Sequence, residues 1–155
     1  MARVGSYSAH KTKHQDSGVD EISVASLSGV LADGQLGSKL KSETRDMTAA
    51  SGDVAYTGYG FQPIALIIFT STHEALSIAS WGFGDVNLSE MCTYRPTGST
   101  TVFVSASNII YADETGGKSQ IAVLKTLDAD GFTLTWTKAG DVSAGTLTIL
   151  VLALR

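Results

Sequence analysis

The 155-residue chain has little cysteine and little positive charge, and each shortage excludes a class of function. One cysteine, Cys92, cannot form an internal disulfide, and it makes no zinc site without several histidines or carboxylates beside it. The formal charge is -4, from 11 Lys and Arg against 15 Asp and Glu. No cationic field is available for a phosphate backbone, so we expect no nucleic-acid partner. We also predict no cofactor.

Long hydrophobic runs are missing as well. The longest, residues 149–154, is far shorter than the ~20 residues of a membrane helix, and the first 18 residues contain no apolar segment of the kind found in signal peptides. We therefore expect a soluble protein with no membrane partner that is not exported by general secretion. The chain has only 2 Pro but 16 Gly, 18 Ser and 17 Thr, which favours strands and turns over helices.

Aromatic residues are nearly absent from the first third of the chain, where Tyr7 is the only one before residue 51. The same segment holds six of the eleven basic residues. Because it has almost no aromatic surface to bury, we predict an extended N-terminal arm over residues 1–50 and a β-sandwich domain over residues 51–155. One short strand is plausible at residues 21–30, and residues 36–47 form either a short helix or an extended connector. The candidate partner contacts on the arm are Arg3, Tyr7, Lys11 and Lys13.

Short strands separated by turns fill the rest of the sequence. Residues 63–70 form a continuous apolar run, which predicts a central strand buried on both faces. Phe132, Leu134 and Trp136 alternate with threonines, and Asp-Ala-Asp-Gly at residues 128–131 predicts a hairpin turn before them. Further β-type segments lie at residues 75–83, 100–104, 108–111, 118–127 and 146–154. About eight strands indicate an all-β fold, an antiparallel β-sandwich of jelly-roll type.

Metal binding is possible at two places and favoured at neither. His10 and His14, with Asp16 and Asp20 downstream, have ligand chemistry but no apolar periodicity that would hold a helix. Residues 128–131 resemble the start of a calcium loop, but the closing glutamate is missing, so a plain hairpin is favoured. We predict no metal site.

Catalytic constellations are equally weak. Ser71, His73, Glu74 and Asp85 supply the residue types of a hydrolytic triad, yet no Gly-x-Ser-x-Gly elbow presents the serine. Cys92 has no cationic neighbour in the sequence and is interpreted as a small core side chain. We expect that the protein is not an enzyme.

Glycine pairs and exposed aromatics have structural alternatives. Gly58 with Gly60, and Gly82 with Gly84, are interpreted as tight sheet corners, since neither pair joins a strand to a helix as a phosphate-binding loop would. The glycosylation sequon at residues 87–89 is interpreted as coincidental. Four aromatics could instead stack on sugar rings in an exposed groove, which is the alternative function: Tyr56, Tyr59, Trp81 and Tyr94.

Two segments carry a family resemblance: SGDVAYTGYGFQPIALIIF at residues 51–69, and GFTLTWTKAG at residues 131–140 with the closing run 146–154. They resemble small β-sandwich virion structural proteins of tailed bacteriophages. The resemblance implies a capsid decoration (cement) protein that binds the major capsid protein or other virion subunits as a homotrimer. It implies a location in the virion, after assembly in the host cytoplasm, and an arm that orders on the capsid. The alternative is a tail or fibre subunit with a carbohydrate-binding sandwich.

Overall fold

The computed structural model describes residues 37–72 and 77–155, and these fold as an antiparallel β-sandwich with no helix among them. No helix able to cross a membrane therefore occurs in that part of the chain. The strands are β1 (Ser38–Asp46), β2 (Gly52–Thr57), β3 (Ala65–Thr72), β4 (Ala79–Asp85), β5 (Glu90–Arg95), β6 (Phe103–Ser105), β7 (Ile110–Glu114), β8 (Lys118–Asp128), β9 (Gly131–Ala139) and β10 (Thr146–Leu154).

The strands form two sheets, a six-stranded one in the order β1-β10-β3-β4-β5-β6 and a four-stranded one in the order β2-β9-β8-β7. Among the described strands, the first pairs with the last and the second with the ninth, while β3 to β6 and β7 to β9 run as meanders. Every pairing is antiparallel. The predicted sandwich is confirmed, and the jelly-roll class stays a prediction.

The core lies between the two sheets and is built by residues that alternate along the strands. Phe132, Leu134 and Trp136 are at most 1% exposed, as their spacing predicts, while threonines occupy the opposite face of β9. Facing them from β10 are Leu147, Ile149 and Val151, also at most 1% exposed. Burying a large apolar side chain stabilises a fold by about 2 kcal/mol, so these alternating sets are the main source of sheet-on-sheet attraction.

The sandwich begins earlier in the chain than the predicted boundary at residue 51. β1 pairs with β10 along its whole length, from Ser38 opposite Leu154 to Asp46 opposite Thr146, and Met47 is fully buried in the core. Residues 38–50 are therefore sheet and core rather than arm, and the helix considered for residues 36–47 does not form. The strand considered at residues 21–30, and the contacts Arg3, Tyr7, Lys11 and Lys13, lie outside the described residues.

The hairpin predicted at residues 128–131 is confirmed, since it joins β8 to β9. The carboxylate of Asp130 accepts hydrogen bonds from the backbone N–H groups of Gly58 (2.9 Å) and Gly60 (2.6 Å). Both glycines have positive φ, +83° and +78°, a conformation that glycine adopts without steric cost. The Gly58–Gly60 turn thus binds the carboxylate of Asp130, and these two hydrogen bonds connect the β2–β3 loop to the β8–β9 hairpin.

The second glycine pair is not a sheet corner. Gly82 and Gly84 lie inside β4, where the segment leading into β7 crosses the inner face of the sheet. A Cβ atom on Gly82 would stand 1.7 Å from the carbonyl oxygen of Ile109. Glycine is needed here because two stretches of backbone approach each other too closely for a side chain.

Candidate functional site

The outward surface of the six-stranded sheet is the most unusual surface of the described residues, because it is apolar. β3 shows the pattern clearly. Leu66 and Ile68 point into the core and are 1% and 0% exposed, whereas Phe69 on the opposite side of the strand is 44% exposed. The sequence prediction that this strand is buried on both faces is therefore wrong, since the outer side of β3 meets solvent.

Strand register places the outward apolar side chains in two adjacent rows across the sheet. The first row contains Leu40, Leu152, Ile67, Phe83 and Met91. The second row contains Leu150, Phe69, Trp81, Thr93 and Val104. Neighbours within a row are ~4.8 Å apart and the rows are ~7 Å apart, so the side chains form one continuous surface. These two rows are called the outer apolar face below.

Much of this surface is accessible to water. The exposed fractions are Leu40 61%, Phe69 44%, Trp81 39%, Phe83 50%, Met91 45%, Val104 64% and Leu150 38%. At ~200 Å² for a large side chain, these fractions correspond to roughly 700 Å² of exposed apolar area. The largest apolar patch on a typical monomer is about 300–600 Å², and patches above that size mark interaction sites.

Among the described residues, charged side chains lie only at the two ends of the outer apolar face. Asp85 lies at the end of β4, next to the first row, and Arg95 ends β5 beyond the second row. Asp85 accepts hydrogen bonds from the backbone N–H groups of Ser89 (3.0 Å) and Asn87 (2.9 Å), and these bonds, chiefly the one from Ser89, hold its pKa below the usual value. Arg95 donates to the carbonyl oxygen of Ser77 at 3.2 Å. An apolar centre with a charged rim is the usual anatomy of a protein interface.

A depression of about 560 Å³ lies at the Asp85 end of the face. Its apolar lining includes Ile67, Phe83 and Met91 from the first row, together with Ala65 and Leu154. Ala65 pairs with Asp85 beyond the first row, and its small side chain leaves a recess at this end of the face.

The outer surface of the four-stranded sheet has the opposite character. Thr133, Thr135 and Thr137 alternate along β9, and Thr135 donates from its hydroxyl to Asp53 at 2.6 Å. Asp53 also forms an ion pair with Lys125. These groups are hydrated or paired. Of the two outer sheet surfaces in the described residues, only the outer apolar face therefore has the composition of a binding surface.

The sequence-predicted catalytic and metal-binding candidates do not assemble into a site in the described residues. Ser71 pairs opposite Ala79, and Asp85 lies six residues further along β4, ~20 Å away at strand rise. His73 and Glu74, like His10, His14, Asp16 and Asp20, lie outside the described residues. Within residues 37–72 and 77–155, no group of three or more His, Cys, Asp and Glu side chains could hold a metal ion.

Cys92 is a core residue, as predicted. It is fully buried on the inner side of β5. Desolvation raises the pKa of its thiol to about 11, with a smaller contribution from the negative charge of Glu90. A thiol that stays protonated at neutral pH is a poor nucleophile and a poor metal ligand.

The four aromatics considered for sugar stacking do not share a groove. Tyr56 and Tyr59 are core residues, 5% and 0% exposed, and Tyr56 stacks on Phe132 with ring centroids 5.2 Å apart. Desolvation raises the pKa of Tyr56 to about 12. Tyr94 stacks on Tyr111 at 4.2 Å, at the β5–β7 contact. Only Trp81 belongs to the outer apolar face.

Comparisons with known proteins add no relative: the chain matches no protein-family model, no curated protein and no solved structure at a significant level. Function is therefore inferred from the geometry and chemistry of the outer apolar face, which the sequence patterns had not identified. The available signal was the apolar character of both sides of residues 63–70, which was interpreted as a sign of burial.

Proposed function

We propose that this protein is a non-catalytic virion structural subunit of a tailed phage, a capsid decoration (cement) protein that binds the outer capsid surface and stabilises the head. The observation that supports an adhesive role is the outer apolar face, with Phe69, Trp81 and Phe83 exposed side by side. Burying an exposed apolar face of this size against a partner is strongly favourable in free energy. The phage assignment rests on the resemblance of residues 51–69 and 131–154 to virion β-sandwich proteins.

Adhesion by this face needs no reactive group. Covering roughly 700 Å² of apolar surface on one partner yields about 17 kcal/mol of gross hydrophobic stabilisation, from which the entropy lost on association must be subtracted. Asp85 and Arg95 at the rim add orientation more than affinity. A rigid sandwich loses little conformational entropy on docking, which suits a protein that reinforces a lattice.

The partners that follow are the major capsid protein or other virion subunits, together with further copies of the chain in a homo-oligomer. The location is the virion, with assembly in the host cytoplasm. The alternative is a tail or fibre subunit that binds carbohydrate. One observation favours it, the exposure of the Trp81 ring, while the burial of Tyr56 and Tyr59 in the core counts against it.

Electron microscopy of labelled particles tests the assignment. Particles are purified from cells that carry the gene, and a gold-conjugated antibody against the purified chain is applied. We expect gold distributed over the heads. Gold confined to tails or fibres would replace decoration by the alternative, and intact particles without gold would overturn the virion assignment.

A further inference from the structure

We infer that the outer apolar face binds the same face of a second copy of this chain, which gives a two-fold symmetric, face-to-face dimer. Cyclic two-fold dimers are the commonest oligomers, and their interface must be complementary to itself. Three properties of the face meet that condition: its area, the placement of Asp85 and Arg95 at opposite ends, and the depression at the Asp85 end. The area of the face is sufficient for a stable dimer, and the charges and the depression fix the orientation of the two copies.

The area matches a stable pair. A standard protein interface covers about 800 Å² on each partner, and the outer apolar face offers roughly 700 Å² of apolar surface before its polar rim is counted. The interior of the face contains no ionisable group, since its two rows are aliphatic, aromatic or thioether side chains with one threonine. Bringing two copies together therefore buries no unpaired charge.

The rim charges select the direction of the symmetry axis. An axis that runs across the strands turns the sheet end for end, so the Asp85 end of one copy meets the Arg95 end of the other, and this happens twice. An axis parallel to the strands would instead place the Asp85 ends of both copies together. Opposite charges attract and like charges at an interface are costly, so the first arrangement is preferred.

The same axis also places the second row of one copy over the depression of the other. Turning the sheet end for end exchanges the two rows, so Phe69 and Trp81 of one copy face Ile67, Phe83 and Met91 of the other. Those three residues line the depression of about 560 Å³, which is open to an aromatic side chain from above. Trp81 is the largest ring on the face and is the expected anchor, as tryptophan commonly is at interfaces.

This dimer buries the surface on which the proposed function depends, so the pair must open before that face can bind a capsid subunit. The dimer itself does not depend on the virion assignment. It replaces the trimer implied by the resemblance with a two-fold unit. Its test is done on purified protein in solution, so a failure there is separate from a failure of particle labelling.

Sedimentation of the full chain gives the first test. We expect a dimer with twice the 16.2 kDa mass of the chain. Trp81→Lys should weaken dimerisation by at least ~30-fold, the loss typical of an interface hot spot. Thr137→Lys, which adds the same charge to the outer surface of the four-stranded sheet, should leave dimerisation unchanged. Phe83→Lys serves as the second variant if Trp81→Lys lowers the unfolding midpoint. A monomer or a trimer of the unaltered chain would overturn the inference.

Charge reversal tests the orientation. In Asp85→Arg two positive residues meet across the interface, and in Arg95→Asp two negative residues meet, so each variant alone should dimerise more weakly than the unaltered chain. Mixing the two variants restores opposite charges at both contacts, so a heterodimer should form in preference to either homodimer. Circular dichroism of each variant checks that the fold is retained. Homodimers of the separate variants that are as strong as the heterodimer would overturn the proposed orientation.

Discussion

At the scale of single residues, Gly82 lies where the segment before β7 passes too close to β4 for a side chain. A Cβ atom there would lie 1.7 Å from the carbonyl oxygen of Ile109, so Gly82→Ala must displace the segment before β7. We expect a loss of about 3 kcal/mol in unfolding free energy, the upper end of overpacking effects, measured by urea denaturation. Gly145→Ala is the matched control, because nothing lies within 4 Å of its added Cβ. Equal stability of the two variants would contradict this account.

Asp130 gives a prediction about pH. Its carboxylate binds the N–H groups of Gly60 and Gly58, and these bonds lower its pKa below the ordinary value of 3.8. A carboxyl whose pKa is lower in the folded state stabilises the fold above its unfolded pKa, and this contribution is lost as pH falls through the folded value. Asp130→Asn should therefore unfold at a lower temperature at pH 7 and lose less on acidification to below the ordinary pKa.

Thermal unfolding at several pH values measures this effect. Asp141→Asn, which removes an exposed carboxylate from the β9–β10 loop away from this turn, is the control for the loss of one negative charge. If acidification lowered the unfolding temperature of Asp130→Asn by as much as that of the unaltered chain, the contact between Asp130 and the two glycines would not be a pH-dependent source of stability.

At the scale of elements, β1 decides where the folded unit starts. It covers the edge of β10, and the turn after it places Met47 in the core. A chain that starts at residue 51 should lose at least the 2–5 kcal/mol typical of removing one large core side chain, and it should expose β10 as an unpaired edge prone to aggregation. A chain that starts at residue 37 retains every described strand and is the comparison. Urea denaturation and size-exclusion chromatography distinguish them, and equal behaviour would restore the boundary at residue 51.

The elements differ in how far the sequence alone could predict them. β9 was predictable because Phe132, Leu134 and Trp136 face the core while threonines face outward, so period and polarity agree. β1 has the reverse pattern. Arg45 points inward and lies 5.0 Å from the Trp136 ring, while Leu40 is 61% exposed. Arg45 can face the core because a residue distant in the sequence, Trp136, packs against it. Hydrophobic periodicity within β1 contains no information about that contact.

At the scale of the whole molecule, the sandwich class could be predicted but the candidate site could not. Apolar residues on both sides of β3 and β10 are compatible with a strand buried within one domain and with a strand that offers one side to a partner. Only the arrangement of the two sheets distinguishes these cases. The four-stranded sheet covers the inner side of the six-stranded one, and within the described residues nothing covers Phe69, Trp81 or Phe83 on the outer side.

The contrast between the two outer surfaces has a practical consequence. The outer surface of the four-stranded sheet is hydrated through its threonines and its Lys125–Asp53 pair. The outer apolar face on the opposite side of the sandwich is hydrophobic. A protein with two such surfaces adsorbs at an apolar interface through its hydrophobic surface. Monomers in the thin film of a microscope grid should therefore adsorb at the air–water interface in one preferred orientation, with the outer apolar face toward the air. This preferred orientation should disappear once the outer apolar face is covered by a partner.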